Sequence, residues 1–397
     1  MMSSYNSRCL FKRHAHQSFK RNGDENMSVL FNTRRRKPPE VDIVLVNWNG
    51  WQDTIECLES LRRIDYPNYR IIIIDNDSSN NSVEKIREYA EGTLRTSSNS
   101  TVGLEDHSTA MIEYTRKEIE NGLRHEFLQD HSLPLKLVMI KNERNFGAAE
   151  GYNVAIRYAL KEHSPDYILL LNNDVTVDKN FLKELVRVAE SSLEIGIVGS
   201  TIYYYDKPDV IDFAGENIIL WEGRGIRYKD HFVAPQEVDK VDGACMLIKR
   251  NVFEKVGLID SDFFMYWEET DFCQRAKKNG YKIVYVPAAK IWHKIAASSG
   301  GLNSYNVIYY LSRNRFLFVK KNAKGLNRIM FLTYVFGWDI WLNMVFYLRS
   351  HNLKALAPLI KGALDGLYLF ASAGGNRARI LGKRQKNFSA PGSQNDT

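Results

Sequence analysis

Four short runs of aliphatic residues each break off into Asn or Asp, and this recurrence constrains the fold more than any other feature of the chain. Residues 43–46 run into Asn47-Trp48-Asn49-Gly50 and 71–74 into Asp75-Asn76-Asp77-Ser78. Residues 137–140 lead towards Asn142 and Asn145, and 167–171 run into Asn172-Asn173-Asp174. None of the runs alternates apolar with polar. A strand without alternation is buried on both faces, the habit of a parallel sheet covered by helices on each side. Segments with helical spacing fall between them, at 54–63, 82–90 and 148–161. The expected fold is α/β: a Rossmann-like mixed sheet, mostly parallel and flanked by helices. Ligands of open α/β sheets bind beyond the carboxyl ends of the strands. The Asn, Asp and Ser residues at those ends therefore mark the expected site, and they suit a nucleotide.

At 397 residues the chain can bury one large core and carry appendages. Residues 91–132 interrupt the pattern. The Ser/Thr/Asn-rich 96–101 reads as loop and 110–128 has helical spacing, so the expectation is an inserted loop with one helix. Further on, 195–205, 241–249 and 281–287 read as strands. Residues 270–279 read as a helix stopped by Gly280, a residue suited to that position. Residues 329–348 are long enough to span a membrane. Asp339 at the centre of that run would cost roughly 2.5–3.5 kcal/mol in lipid, so an interfacial or core helix is expected. Residues 353–370 look amphipathic, and 316–370 as a whole reads as an aromatic helical extension.

The first 40 residues are polar and basic with no apolar leader, and they read as a disordered tail; 371–397 reads as a second basic tail. The net charge of +7 is unevenly spread, with basic flanks around an acidic 41–312. An acidic middle argues against a nucleic-acid-binding core. Basic flanks beside apolar segments suit an anionic membrane surface. The four cysteines form no C-x-x-C pair and are expected to be reduced, buried thiols of a cytoplasmic protein.

Acids at the ends of apolar runs suggest chemistry. Asp174 closes a buried strand, where one carboxylate can anchor a divalent cation that keeps phosphates in its shell; as a plain turn-former it would do no more than cap. Asp75 and Asp77 could accept hydrogen bonds from a ribose or a base, or form an Asx-turn. Asn145, Gly147, Gly151 and Asn153 place small residues at a strand-to-helix entry, where backbone can approach an anion. Glu268, Glu269 and Asp271 crowd a helix start behind the apolar 263–267. A carboxylate held against aromatic rings has its pKa pushed upward, which suits a general base. His293 could join Asp174 at a metal.

Taken in order, these motifs resemble the family 2 glycosyltransferases of GT-A fold, nearest the rhamnosyltransferase-like branch. The resemblance covers 41–315. It rests on Asn47-Trp48-Asn49-Gly50, Asp75-Asn76-Asp77-Ser78, Asn145-Phe146-Gly147 with Gly151 and Asn153, and Asn172-Asn173-Asp174. Asp242-Gly243-Ala244, Glu268-Glu269-Thr270-Asp271 with Arg275, His293, and Arg313-Asn314-Arg315 complete it. The resemblance implies a sugar moved from a UDP- or dTDP-linked donor, rhamnose among the candidates, to a glycan or lipid-linked acceptor, with inversion.

It implies that Asp75 meets the base or ribose, that Asp174 holds Mg²⁺ or Mn²⁺ on the donor diphosphate, and that His293 is a further ligand. Asn47, Asn49, Asp77, Asn145, Gly147, Gly151, Asn153, Asn173 and Arg313 are the other candidates for donor contact. The family's Glu-Asp pair, which supplies the base, falls on Glu268-Glu269. Two departures stand out: Asn172 occupies the place of a first metal-binding Asp, and Glu269 that of an Asp. They leave room for an inactive binding protein of the same fold. A nucleotidyltransferase would want a basic loop after the first strand, and Asn47-Trp48-Asn49-Gly50 has none. The expected location is the cytoplasm, with peripheral contact to the inner face of the cell membrane.

Overall fold

The computed structural model describes residues 37–94, 111–122, 137–294, 301 and 303–372. The expected tails and most of the insertion at 91–132 lie outside these residues. Thirteen strands are described: β1 (Val41–Asn47), β2 (Tyr69–Asp75), β3 (Met111–Thr115), β4 (Leu137–Lys141), β5 (Tyr167–Asn172), β6 (Val175–Val177) and β7 (Ile195–Tyr204), then β8 (Lys207–Phe213), β9 (Glu216–Ile219), β10 (Arg224–Arg227), β11 (Gln236–Val238), β12 (Cys245–Lys249) and β13 (Lys282–His293). Eleven form one sheet in the order β11-β13-β7-β12-β5-β1-β2-β4-β3, with β6 beside β13 and β8 beside β7. The half from β5 to β3 is parallel throughout. The antiparallel β12 joins it to the second half. This is the expected mixed, mostly parallel sheet with helices on both sides.

The four apolar runs are buried on both faces, as their lack of alternation requires. Along β1, Ile43 and Leu45 enter one core cluster and Val44 the other. Each such side chain contributes about 1.5–3 kcal/mol through burial. The register aligns the strand ends: Asn47 of β1 pairs with Asp75 of β2, and Asp75 with Lys141 of β4. Val46 pairs with Asn172 of β5. The polar residues that end the runs therefore lie in one row.

Residues 110–128 do not form the expected helix. Met111–Thr115 is an edge strand parallel to β4, and the helix that follows is only Arg116–Glu120, capped reciprocally by Thr115 and Glu118. Ile112 and Ile119 mimic a helical spacing, but the Ile, Tyr and Thr of the first five residues suit a half-buried edge. The hairpin of β9 and β10 had no signal in the sequence reading. Cys57, Cys245 and Cys273 are buried free thiols.

Beyond the sheet come the helices Tyr305–Asn322, Leu326–Tyr334, Ile340–Arg349 and Leu356–Ala371, with a π-helical turn at Val335–Asp339 joining the second to the third. They share a third core cluster that includes Phe316, Phe318, Phe331 and Val335. Gly362 brings the last helix against the first: a Cβ there would sit 2.6 Å from the Tyr309 carbonyl.

Candidate active site

The row of strand ends divides into two parts. On the β1/β2 side the polar atoms satisfy one another. The Asp75 carboxylate accepts from Asn47 Nδ2 (2.8 Å), Ser78 N (3.0 Å) and Ser78 Oγ (2.7 Å). Asn47 Oδ1 accepts from Thr54 Oγ1 at 3.0 Å, and Asn49 Oδ1 from Ser79 N at 2.8 Å. Asn49 and Asp77 both hold positive φ, 57° and 63°, a conformation that Asn and Asp tolerate better than most side chains. Asp77 itself is exposed. A second knot joins Asn76, Asn142 and Asn145: Asn76 Oδ1 accepts from Asn142 Nδ2 and from Phe146 N, and Asn145 Oδ1 accepts from Asn76 Nδ2 and Gly147 N.

On the β5 side the carboxylate is left open. β5 ends at Asn172, the turn carries Asn173 and Asp174, and β6 pairs back onto β13 so that His293 lies opposite Val175. His293 Nε2 stands 3.1 Å from Asp174 Oδ1 and 3.3 Å from Asn172 Nδ2. The 3.1 Å contact does not meet hydrogen-bond geometry, and Asp174 Oδ1 is buried without a hydrogen-bond partner. Burial alone would raise the Asp174 pKa, but the His293 contact outweighs it and holds the carboxyl below its usual range. Burial opposes the charge on His293, and Asp174 reverses that and raises its pKa. A buried carboxylate oxygen with an open valence beside an imidazole nitrogen fits a divalent cation, the remaining positions going to phosphate oxygens and water. Among the described residues no three His, Cys, Asp or Glu side chains form a complete cage.

The second acidic element is the start of helix Glu268–Lys278. It follows a loop in which Phe264, Tyr266 and Trp267 all have positive φ (67°, 65° and 75°), which is unusual for aromatic residues and costs on the order of 1–3 kcal/mol each. What holds the loop is the Arg313-Asn314 pair. Asn314 Nδ2 donates to the carbonyls of Phe263, Met265 and Tyr266 at 2.7–2.8 Å. Arg313 Nη2 donates to those of Asp262 and Phe263 at 2.7 and 3.0 Å. Arg313, expected at the donor, is buried as a clamp on this loop instead. Gly147 meets the same loop from the other side: its φ is +79°, and a Cβ would lie 2.3 Å from the Phe264 carbonyl.

The clamped loop presents three acids differently. Asp271 is committed to structure, with one oxygen accepting from Arg275 Nε and the other from Asn322 Nδ2, both at 2.7 Å. Glu269 Oε1 lies 3.0 Å from Lys240 Nζ, which also contacts Glu216 at 3.1 Å. Glu268 Oε2 is buried without a hydrogen-bond partner. Burial first, and the charge of Glu269 second, push the Glu268 pKa up to about 8.

Glu268, Glu269, Asp174 and His293 line one cleft of about 750 Å³, together with Asn145, Gly147 and Asn173. The structure thus gathers seven of the expected site residues. Asn47, Asn49, Asp75, Asp77, Gly151, Asn153, Asp271 and Arg313 lie outside its wall. Asn153 pairs both ends of its amide with the backbone of Ile259, and Gly151 packs on Val46. The sequence reading gave no role to Asp242, Lys240 or Arg227, which also line the cleft. Burial would raise the Asp242 pKa, but Lys240 and Arg227 hold it below the usual range. Their only signal in the sequence is their place just before the apolar run of β12, which antiparallel pairing brings to the end of β5.

A family model described as glycosyltransferase like family 2 matches residues 38–306. The low-salt glycan biosynthesis hexosyltransferase Agl10 of Haloferax volcanii is 30% identical over 231 residues, covering 56% of this chain and 73% of that protein. The dTDP-rhamnosyl transferase RfbF of Shigella flexneri is 25% identical over 242 residues, 58% of this chain and 79% of its own. Among solved structures, the mannosyltransferase PcManGT of Pyrobaculum calidifontis, in complex with GDP-Man and Mn²⁺, is similar at a TM-score of 0.47 and 12% identity, over 88% of this chain and 81% of that one.

Proposed function

The chain belongs to glycosyltransferase family 2, and from that premise we propose that it moves a hexose from a nucleoside-diphosphate donor to an acceptor hydroxyl with inversion at the anomeric carbon. The observation that carries this reading is the pair of buried, unpartnered carboxylate oxygens, Asp174 Oδ1 and Glu268 Oε2, lining one cleft at the strand ends. The hexosyl- and rhamnosyltransferase relatives favour a UDP- or dTDP-hexose, rhamnose included. The acceptor is a glycan or lipid-linked saccharide. The reaction belongs in the cytoplasm, with peripheral contact to the inner face of the membrane.

Asp174 and His293 would hold Mg²⁺ or Mn²⁺, which when bound neutralises charge developing on the leaving diphosphate. Asn145, Gly147 and Asn173 border the donor, and the amino end of helix Gly147–Tyr158 favours its negative charge. Asp75 has three hydrogen bonds on a carboxylate with about four acceptor positions. The remaining one suits a base N–H or a ribose hydroxyl.

Glu269, the favoured base, accepts the proton of the acceptor hydroxyl while that oxygen attacks the anomeric carbon. The new C–O bond forms on one face as the bond to the phosphate oxygen breaks on the other. Lys240 fixes the Glu269 carboxylate for this step. Glu268 keeps its own proton at neutral pH, because two adjacent carboxylates in a buried site do not both ionise readily.

Turnover of UDP- and dTDP-sugars with and without Mn²⁺ tests the reading, alongside the melting temperature in each donor. Metal-dependent turnover lost in Asp174→Ala is expected. Donor-induced stabilisation without any turnover would instead make this a binding protein.

A further inference from the structure

We infer that the outer face of the C-terminal helices docks on an anionic lipid bilayer and so presents a lipid-linked acceptor to the cleft; the second half rests on the transfer reading above. Leu326–Arg349 is a continuous helical run of 24 residues with mean hydropathy 1.4, and it is two-sided. Phe331 and Val335 are buried in the third core cluster, and one turn on Asp339 accepts from Arg315 Nη1 at 2.5 Å. These positions, four apart, make a stripe clamped to the body of the protein. The opposite stripe holds Trp338, Leu342, Val345 and Leu348, which are 61%, 47%, 43% and 49% exposed. A spanning helix needs lipid or other membrane segments on every side. This one is bound to a globular body along one side, and its Asp is engaged there, so it lies in the plane of the interface.

The charge around this face has one sign. Between 323 and 371 the exposed charged side chains are Lys324, Arg328, Arg349, Lys354 and Lys361. The two acids are engaged elsewhere, Asp339 with Arg315 and Asp365 with Tyr309. Exposed Trp and aliphatic groups bordered by lysine and arginine fit an anionic leaflet. The alternative occupants lack the complementary charge. A second copy brings the same cations, and residues 373–397 carry five basic side chains and one acidic.

The docked helices also wall the cleft. Tyr347 lines it from the docked run, and Val307, Ile308, Leu311 and Leu359 add apolar wall from the neighbouring helices. The cleft therefore has a carboxylate end and an apolar end, the latter built by the membrane-facing elements. A saccharide carried on a membrane lipid matches both ends at once.

The full chain is sedimented with phosphatidylcholine vesicles, with and without phosphatidylglycerol, at low and high salt. Binding to the anionic vesicles, weakened by salt, is expected. Trp338→Ser with Leu342→Ser should lower the partition by about tenfold or more. Arg349→Glu with Lys354→Glu should abolish the preference for phosphatidylglycerol. Both variants should keep the wild-type melting temperature and hydrolysis of soluble donor. Absent vesicle binding with donor hydrolysis intact overturns the docking face alone; absent hydrolysis with docking intact overturns the transfer reading alone. Bound protein that resists carbonate extraction would mean a spanning helix, and a dimer without vesicle binding would mean a second copy covers the face. Either outcome overturns in-plane docking. Farnesyl phosphate probes the apolar end of the cleft: it should raise the melting temperature where inorganic phosphate does not, and equal responses overturn the lipid-linked acceptor.

Discussion

The two halves of the strand-end row are built from the same residue types and left in opposite states. Around β1 and β2, Asn47, Asn49, Asp75 and Ser78 bind one another. Around β5 and the clamped loop, Asp174 and Glu268 each keep a buried oxygen without a hydrogen-bond partner. A buried polar atom left unpaired costs about 1–3 kcal/mol, more when charged, so an open pair in one cleft is where ligand chemistry is expected. The closed knot holds the geometry and keeps one acceptor position for a nucleotide. Asn and Asp at a strand end therefore say little by themselves. What separates scaffold from chemistry is whether neighbouring residues have already taken their hydrogen bonds.

The sharpest way to break this contrast is at Asp174. Asp174→Ala should reduce kcat roughly a thousandfold, equivalent to about 4 kcal/mol of transition-state stabilisation. It should leave the melting temperature within a few degrees, because the lost oxygen supports no hydrogen bond in the fold. Donor turnover and a thermal melt on one preparation decide it. A collapsed fold would make Asp174 a structural residue like Asp271. Next is Glu269→Gln, which keeps shape and removes basicity. A kcat fall of about 10²–10⁴-fold is expected of a lost general base, with the donor KM little changed. Full activity would move the role to Glu268.

The strand runs were legible because burial on both faces leaves a plain pattern, and the order of polar ends followed from parallel register. Asp174, His293 and Glu268-Glu269 were legible as acids and a His after apolar runs. The partners that tell them apart were not. Lys240 reaches Glu269 across 29 positions, and Arg313-Asn314 grips the 263–266 loop from about 50 residues away. Such pairings depend on antiparallel insertion of β12 and on helix packing, and no local periodicity records them. Asp339 was read correctly as an obstacle to membrane insertion, but its partner Arg315 lies 24 residues earlier. Met111–Thr115 misled because five residues of an edge strand share their apolar spacing with a helix.

Glu268 gives the contrast a dependence on pH. Its pKa rises from 4.5 to about 8 on folding, so between those values the native state keeps a proton that the unfolded chain has released. Stability is thus unaffected by this group below pH 4.5, falls as pH rises, and is fully penalised above about pH 8. Glu268→Gln, neutral at every pH, should melt close to wild type at pH 4.5 and be more stable at pH 9. At about 1.4 kcal/mol per unit the difference is a few kcal/mol at most. At pH 7 its kcat should stay within about tenfold of wild type, as expected of a group outside the proton transfer. A variant inactive at pH 7 would show instead that the Glu268 carboxylate is the base.

The smallest effect lies in the closed knot. Ser78 Oγ donates to Asp75 Oδ2 and accepts from Asn49 N and Asn47 Nδ2, so Ser78→Ala removes three bonds without touching the cleft. A loss of about 1–3 kcal/mol in denaturant unfolding is expected. Catalysis should show it as a raised donor KM with kcat unchanged, because loosening the turn blurs where Asp75 points without disturbing Asp174 or Glu269. A fall in kcat with normal stability would place the knot inside the chemistry and erase the difference between the two halves.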